Sequence, residues 1–591
     1  VTVIGIDLGT TNSSLAYSTG EGVALFAIPQ LVNPGEVRPE PLLPSSLYLP
    51  GPKDFPEGST ALPWDEKPLF VVGELAQKRG VESAGRLVTS AKSWLCHGGV
   101  DRTSALLPLA APDGVNKISP VEASRQYLMH MRKAFEAVFP GEAQVLVTVP
   151  ASFDAVAREL TLEAAAQAGL KDVVLLEEPQ AAFYAWIEKH PDWRERVQPG
   201  DLILIVDIGG GTTDFTLIAV TESGGELKLE RVAVGEHILL GGDNIDLALA
   251  RTIEQELAAK NTKLDSLQLH MLWQKCRAAK EKLLEPGSRA ESEPVTILGR
   301  GTGLIGGTVK SKLQRDVLER ILLDGFFPIT KSTDMPQRAR RSGLVETGLP
   351  YAQDAAITRH MASFLRQQAA GAEHGSVRRG KSGIAAPTHV LFNGGVLRSP
   401  IARERIMETL NAWLAEENLS PATLLEGEDL MHAVARGAAY YGLARQGKGI
   451  RIRGGVARTY YVGIESSMPA VPGFAPPLKA MTVAQFGMEE GTSVDLPETE
   501  FGLVVGEAAE FRFFCSAARK NDAPGTMIEV LGDELAELAP IEVTLDSGGA
   551  REVVRVTLQA QVTETGLLQL FCVARDGRRW KLEFNVRERV S

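Results

Sequence analysis

LIVDIGGGTTDF, residues 204–215, ends an aliphatic run in a carboxylate, Asp207, and follows it with three glycines and two threonines. A carboxylate inside a core is costly unless a cation or a set of hydrogen-bond donors meets it. Upstream, IGIDLGTTNS, residues 4–13, is nearly the same text: an aliphatic strand, Asp7, a glycine, a hydroxyl pair and a polar residue. Self-similarity of this kind predicts two related lobes. In each copy a second strand-like stretch follows at once, SLAYS after the first and FTLIAV after the second. Each copy therefore reads as a β-hairpin rather than as a strand feeding a helix.

The composition of the turn suggests its chemistry. Consecutive glycines let backbone N–H groups converge without obstruction by Cβ, and such nests bind anions. Threonine hydroxyls add donors. A carboxylate beside an anion site makes sense when a cation lies between them, and Mg²⁺ suits because it keeps several waters and needs few carboxylates. Two facing turns of this kind would clamp a polyphosphate. The plainer alternative is a pair of Gly-rich hairpins whose aspartates bond only to backbone. GTGLIG, residues 301–306, matches the dinucleotide fingerprint, but no helix opens directly on its glycines and a hairpin turn is the better reading. GxxxxGK[ST] is absent, which removes P-loop chemistry.

The bulk numbers fit a multidomain globular chain. It has 591 residues, 44% hydrophobic and 23% charged, with 62 Lys and Arg against 74 Asp and Glu for a net charge of −12. That balance disfavours nucleic acid and anionic membranes as partners. No apolar run reaches the roughly 18 residues of a membrane helix. No signal peptide is visible, and the four scattered cysteines form no CxxC pair, so a cytoplasmic protein with free thiols is expected.

Along the chain, lobe one spans about 1–200 and lobe two about 201–430, with a closing helix to 445. QVLVTVPASF (144–153) reads as a strand, and DAVARELTLEAAAQAGL (154–170) as a helix capped by Asp154 and stopping near Gly169. VVLLEEPQAAFYAWIEK reads as strand, turn and helix. Helices are expected in LLGGDNIDLALARTIEQELAAK, in LQLHMLWQKCRAAKEKLL and in SKLQRDVLERILL, where Ser311 and Gln314 would form a capping box. Residues 328–388 are irregular and basic in places (Arg338, Arg340, Arg341, Arg378, Arg379, Lys381), which suits a solvated loop or a partner contact. THVLFNGGVLRSP restores strand and turn. Residues 446–458, rich in Gly and Arg, read as a linker, and 459–591 alternates in short strands, which argues an all-β sandwich.

GIDLGTTNS and DIGGGTTDF resemble the two phosphate motifs of the heat-shock-protein-70 family, the DnaK-like chaperones. VTVPASFDAVAR and LLEEPQAAFYAW resemble the first connecting segment, FNGGVLRSP the second adenosine motif, and TETGLLQLFCVARDGRRWKLEFNV the last strands of the substrate domain. The resemblance implies an α/β fold with a duplicated actin-like ATPase domain, two lobes around a nucleotide cleft, followed by the β-sandwich. It implies ATP hydrolysis, ATP/ADP and Mg²⁺ as cofactors, and unfolded or extended polypeptides as ligands, with a J-domain co-chaperone and a nucleotide exchange factor as partners. Asp7 and Asp207 would hold Mg²⁺ through waters. Gly9, Thr10, Thr11, Asn12, Gly209, Gly210, Gly211, Thr212 and Thr213 would cradle phosphates. Lys92, in TSAKSWL, and Glu178 would orient the attacking water, with Asp207 and Thr212 completing the catalytic set. Gly241, Gly242, Asp243, Arg277, Lys280, Gly394, Gly395 and Arg398 would complete the nucleotide site.

The departures matter too. Arg277 stands where the family carries an acid, and Val396 where a hydroxyl residue is common, so base and ribose contacts should differ. The linker carries Lys448, Arg451, Arg453 and Arg458 and no acid, unlike the family's acidic, leucine-rich one. No helical lid is expected after the sandwich. In FRFFCSAARKNDAPGTMIEVL, Phe513, Phe514 and Ile528 are either peptide-pocket residues or core. Cys515 and Cys572 read as buried small hydrophobes, and Cys276 as a candidate reactive thiol. Two competitors to the chaperone remain: a nucleotide-gated scaffold for one dedicated partner, and a metabolite kinase of the same superfamily.

Overall fold

A computed structural model of the chain describes residues 2–20, 22–97, 99–109, 111–223, 226–235, 238–298, 308–337, 349, 351–371, 378–427, 429–447, 456, 458–465, 478–489, 491–496, 499–516, 519, 521–529, 535–538, 540–546, 551–563 and 567–585. The GTGLIG stretch, Arg338, Arg340, Arg341 and most of the 446–458 linker lie outside these residues. The chain divides into two compact units, Val1–Arg451 and Ile452–Ser591.

The first unit contains one sheet built twice. In lobe one the strands are β1 (Thr2–Asp7), β2 (Asn12–Ser18), β3 (Ala24–Leu25), β4 (Ala143–Val149) and β5 (Val174–Glu177), in spatial order β5-β4-β1-β2-β3. In lobe two they are β6 (Leu202–Ile208), β7 (Thr213–Ser223), β8 (Glu226–Val234), β11 (His389–Asn393) and β12 (Thr423–Leu425), in order β12-β11-β6-β7-β8. In both, the first strand pairs antiparallel with the second and parallel with the fourth. All seven residues of β6 are buried, as a central strand covered on both faces requires, which is why its sequence is aliphatic without alternation. Asp207 comes near the end of that run, where the strand leaves the sheet. Asp7 ends β1 in the same way.

The helices follow local signals. Within lobe one, α1 (Ala91–Leu95), α2 (Ala155–Gln167) and α3 (Glu178–Lys189) lead on to the structural duplicate. The Asp154 carboxylate caps α2 by accepting from the Ala157 N–H at 2.7 Å. The turn expected between β5 and α3 is absent: Glu177 ends the strand and Glu178 opens the helix, with Pro179 in the first turn, where its missing N–H costs nothing. Lobe two carries α4 (Gly242–Ala259) and α5 (Ser266–Leu284).

The expected capping box at Ser311 is wrong. Both Ser311 and Gln314 lie in β10 (Thr308–Gln314), paired antiparallel with β9 (Ser292–Leu298), and helix α6 begins only at Arg315 (Arg315–Arg320). The alternation of TVKSKLQ decides it, since a two-residue period pairs with a neighbouring strand more readily than it winds into a helix. The 328–388 segment is not a plain loop either. It contains α7 (Ile357–Gly371), which buries Met361, Ala362, Phe364 and Leu365 in the lobe-two core. The closing helix α8 (Ala433–Arg445) packs Ala435 and Ala439 on Ala16 of β2.

Among its described residues the second unit contains strands and no helix. One five-stranded sheet is built from β13 (Thr459–Glu465), β14 (Leu478–Ala484), β17 (Phe513–Ser516), β18 (Met527–Glu529) and β19 (Ala536–Glu537). The other takes β15 (Thr492–Asp495), β16 (Phe501–Val505), β20 (Glu552–Val562), β21 (Leu567–Ala574) and β22 (Arg579–Asn585). Both contribute to one core, with Met481, Val483 and Phe513 from the first and Val556, Leu570 and Leu582 from the second. Phe513 is therefore core. Phe514, its neighbour in a period-two strand, lies on the opposite face with Tyr461, Ala480 and the half-buried Ile528. All four cysteines are free, and Cys515 and Cys572 are buried as expected.

Candidate nucleotide site

The two hairpins face each other across a cavity of about 310 Å³. Asp7, Gly9, Thr10, Thr11 and Asn12 line it from lobe one, and Asp207, Gly209, Gly210 and Thr212 from lobe two. Their approach is close. A Cβ on Gly210 would fall 1.8 Å from Thr11 Oγ1, so only glycine fits there. Lys92, Glu178, Gly242, Asp243, Arg277, Lys280, Gly394, Gly395 and Arg398 also line the cavity. Gly211, Thr213 and Gly241 are not among the lining residues. They support it: the Thr213 hydroxyl donates to Leu240 O at 2.7 Å, and Gly241 packs on the carbonyls of Gly209 and Gly210.

Each strand-end aspartate has a polar neighbour at the same level of the adjoining parallel strand. Asp7 pairs in register with Thr148, whose Oγ1 lies 3.4 Å from Asp7 Oδ1. Asp207 pairs with Asn393, whose Nδ2 donates to Asp207 Oδ2 at 2.8 Å. Gly394 then turns with φ of 90°, its Cα so near Ile208 O that a Cβ would sit 2.3 Å away.

Bracing residues set both hairpins. Ser45 donates from its hydroxyl to Gly9 O at 2.7 Å and from its N–H to Thr11 O at 2.8 Å. In lobe two, the first N–H groups of α4 are consumed within the protein. Gly242 donates to Gly209 O at 3.0 Å and Asp243 to Gly210 O at 2.7 Å. Gly242 and Asp243 therefore shape the phosphate hairpin in addition to lining the cavity.

Lys92 sits on the five-residue α1, entered through Ser90 in the left-handed region at φ 55°. A serine held there stores strain, which clusters at functional sites. Lys92 is buried and paired with Glu178. Although burial opposes its charge, Glu178 and Asp7 hold Lys92 above the usual lysine range. Burial pushes Asp7 up to about 7, against the pull of Lys92, and raises Glu178 and Asp207 as well. Asp214, nearby on β7, is pushed up to about 6 by burial. Four carboxyl groups thus converge on one lysine.

Helix α5 presents Arg277, Lys280, Glu281 and Leu284 to the cavity, one face at helical spacing, and Glu285 at its C-terminus also lines it. Arg277 is tied to Asp243 and, at 3.1 Å, to Asp246, while Lys280 reaches Asp246 at 2.7 Å. Arg277 is thus held by two aspartates of α4. Cys276, behind it on the same helix, is fully buried with its thiol pushed up to about 12, so it is an inert core residue and not a reactive thiol.

The residues fit a polyphosphate with a hydrated cation. Thr11 Oγ1, Asn393 Oδ1 and Ser399 Oγ are buried in cavity-lining residues without a hydrogen-bond partner among the described residues. Nor is any group of three or more His, Cys, Asp and Glu among the described residues placed to hold a metal. A cation at Asp7 and Asp207 would take its other ligands from phosphate and water.

Sequence reasoning missed Thr148, Asn393, Ser45 and Asp246. The signal for Asn393 was present, since it ends an aliphatic strand directly before two glycines, while Asp207 lies one residue before three. Ser45 had none, because its role depends on contacts between distant segments.

A duplicated α/β sheet closing on a hairpin-lined, acid-rich cleft defines a two-lobed class of fold. Residues 104–334 match the family described as Hsp70 protein. The chain is 31% identical over 299 residues to a chaperone protein HscA homolog of Pseudomonas aeruginosa, covering 48% of this chain and 42% of that protein. Against the chaperone protein HscA homolog of Azotobacter vinelandii it is 32% identical over 302 residues, 49% of this chain and 43% of that one. The chain thus spans less than half the length of the relatives it matches. Over the matched residues the chain is similar to proteins of the Hsp70 family. No helix among the described residues is long and apolar enough to cross a membrane.

Proposed function

We propose that this chain is an ATP-hydrolysing, chaperone-like protein whose nucleotide state adjusts binding of extended polypeptides. The observation that carries the reading is the convergence of Asp7, Glu178, Asp207 and Asp214 on Lys92 where the two Gly/Thr hairpins meet. Buried acids in such excess suit a site completed by a divalent cation and its nucleotide.

Bound there, Mg²⁺ would offset phosphate charge and orient the terminal phosphoryl group. The chain's own residues do the rest. Thr10, Thr11 and Thr212 offer hydroxyls to phosphate oxygens, and the glycines allow backbone donors to approach. Glu178, held by Lys92, accepts a hydrogen bond from the attacking water, and Lys92 offsets charge on the transferring group. The family resemblance further supports a β-sandwich for the second unit, polypeptides as its ligands, and a J-domain co-chaperone and an exchange factor as partners.

ATP turnover measured with and without a permanently unfolded, apolar polypeptide tests the whole reading. Stimulation several-fold is expected. Turnover indifferent to polypeptide fits a nucleotide-gated scaffold instead, and phosphate transfer to a small-molecule hydroxyl fits a kinase.

A further inference from the structure

We infer that Ser152 is a positioning residue for the phosphoryl-transfer site, acting from one lobe on the hairpin of the other; this rests on the nucleotide reading above. Ser152 follows β4 in lobe one, and its hydroxyl donates to Asp214 Oδ1 on β7 in lobe two. Asp214 also accepts from the Thr212 side chain, and Thr212 lines the cavity. Neither Ser152 nor Asp214 is among the lining residues. Their influence on a bound phosphate therefore passes through Thr212.

The serine is delivered by a rigid segment. The Arg158 guanidinium, buried at 2% exposure, donates to Ala151 O and to Phe153 O, each at 3.0 Å, fixing the carbonyls on both sides of Ser152. Phe153 is anchored in the lobe-one core. Asp154 caps α2 and takes a bidentate pair from Arg102 at 2.9 and 2.7 Å. A donor held this firmly fixes its acceptor.

The acceptor needs fixing. Asp214 is buried, and Lys92 attracts its carboxylate from the cavity side. Remove the serine donor, and one buried carboxylate oxygen is left short of a partner and free to rotate toward Lys92. Thr212 then loses its fixed acceptor, and its hydroxyl is no longer held at one orientation toward the phosphate. Binding draws on many contacts and should survive, whereas the chemical step depends on orientation.

The test compares wild type, Ser152→Ala and Ser152→Thr in Mg·ATP binding and single-turnover hydrolysis, with thermal unfolding to verify that each variant is folded. Ser152→Ala is expected to slow hydrolysis about tenfold with the dissociation constant changed less than twofold, and Ser152→Thr, which keeps the hydroxyl, to recover most of the rate. A merely structural role predicts instead that the two variants fall together, or that binding weakens in step with rate, and either result overturns the inference. An active wild type with an equally active Ser152→Ala overturns it alone, leaving the nucleotide reading intact. An inactive wild type overturns both.

Discussion

Replacing Lys92 with alanine is expected to lower the single-turnover rate of ATP hydrolysis on the order of 10²-fold or more, with Mg·ATP binding largely kept. Lys92 lies at the point where the buried acids converge, and its ammonium is paired with Glu178 inside the cavity. Removing it leaves the Glu178 carboxyl, already raised by burial, without its nearest positive charge. Glu178 is then held as the neutral acid to higher pH, and a protonated carboxyl cannot accept from the attacking water. The transferring phosphoryl group loses a fixed cation in the same step. Affinity should change little, since most of the phosphate cradle comes from the hairpins. Arginine is a poor substitute at this place, because a planar guanidinium does not fit where a compact ammonium is enclosed. An unchanged single-turnover rate in Lys92→Ala would remove the lysine from the mechanism.

Arg158→Ala is expected to destabilise the first unit by about 3–5 kcal/mol, the usual cost of breaking one side of a buried pair. Arg158 Nη2 lies 3.3 Å from Glu177 Oε1, and Glu177 is wholly buried. The truncation takes the guanidinium away from that buried carboxylate and frees the carbonyls of Ala151 and Phe153 together. Denaturant unfolding measures the loss, and a double variant with Glu177→Leu should recover a substantial part of it, because the buried charge that faced the guanidinium is then removed as well. A loss below about 1 kcal/mol for Arg158→Ala would contradict the assignment, since it matches an exposed ion pair. The consequence reaches the site, because Glu177 ends β5 and Glu178 follows without a turn.

The duplicated hairpin was legible because both copies combine an aliphatic strand, a strand-end aspartate and a Gly/Thr turn. That pattern located Asp7, Asp207, Thr11 and Gly210 and the faces they share. Lys92 and Glu178 were legible only through the family resemblance, since a lysine and a glutamate carry no local signature. Ser45, Ser152 and Arg158 escaped notice because their roles arise from segments far apart in sequence. Ser311 misled because a hydroxyl three residues before a glutamine imitates a helix cap, while the strand pairing that claims it comes from β9. Phe513 and Phe514 were ambiguous for a different reason. Period two fixes that they point apart, and only the second sheet shows that Phe513 joins the core shared by the two sheets while Phe514 is buried on the other face.

On the proposed function, the cleft between the lobes binds a nucleotide through a hydrated divalent cation. Calorimetric titration of the full chain with ATP, in Mg²⁺ and again in excess chelator, tests it most directly. One ATP per chain is expected to bind in Mg²⁺, with an affinity lower by at least about tenfold, roughly 1.4 kcal/mol, without it. Absence of ATP binding, or equal affinity in the two conditions, would contradict it.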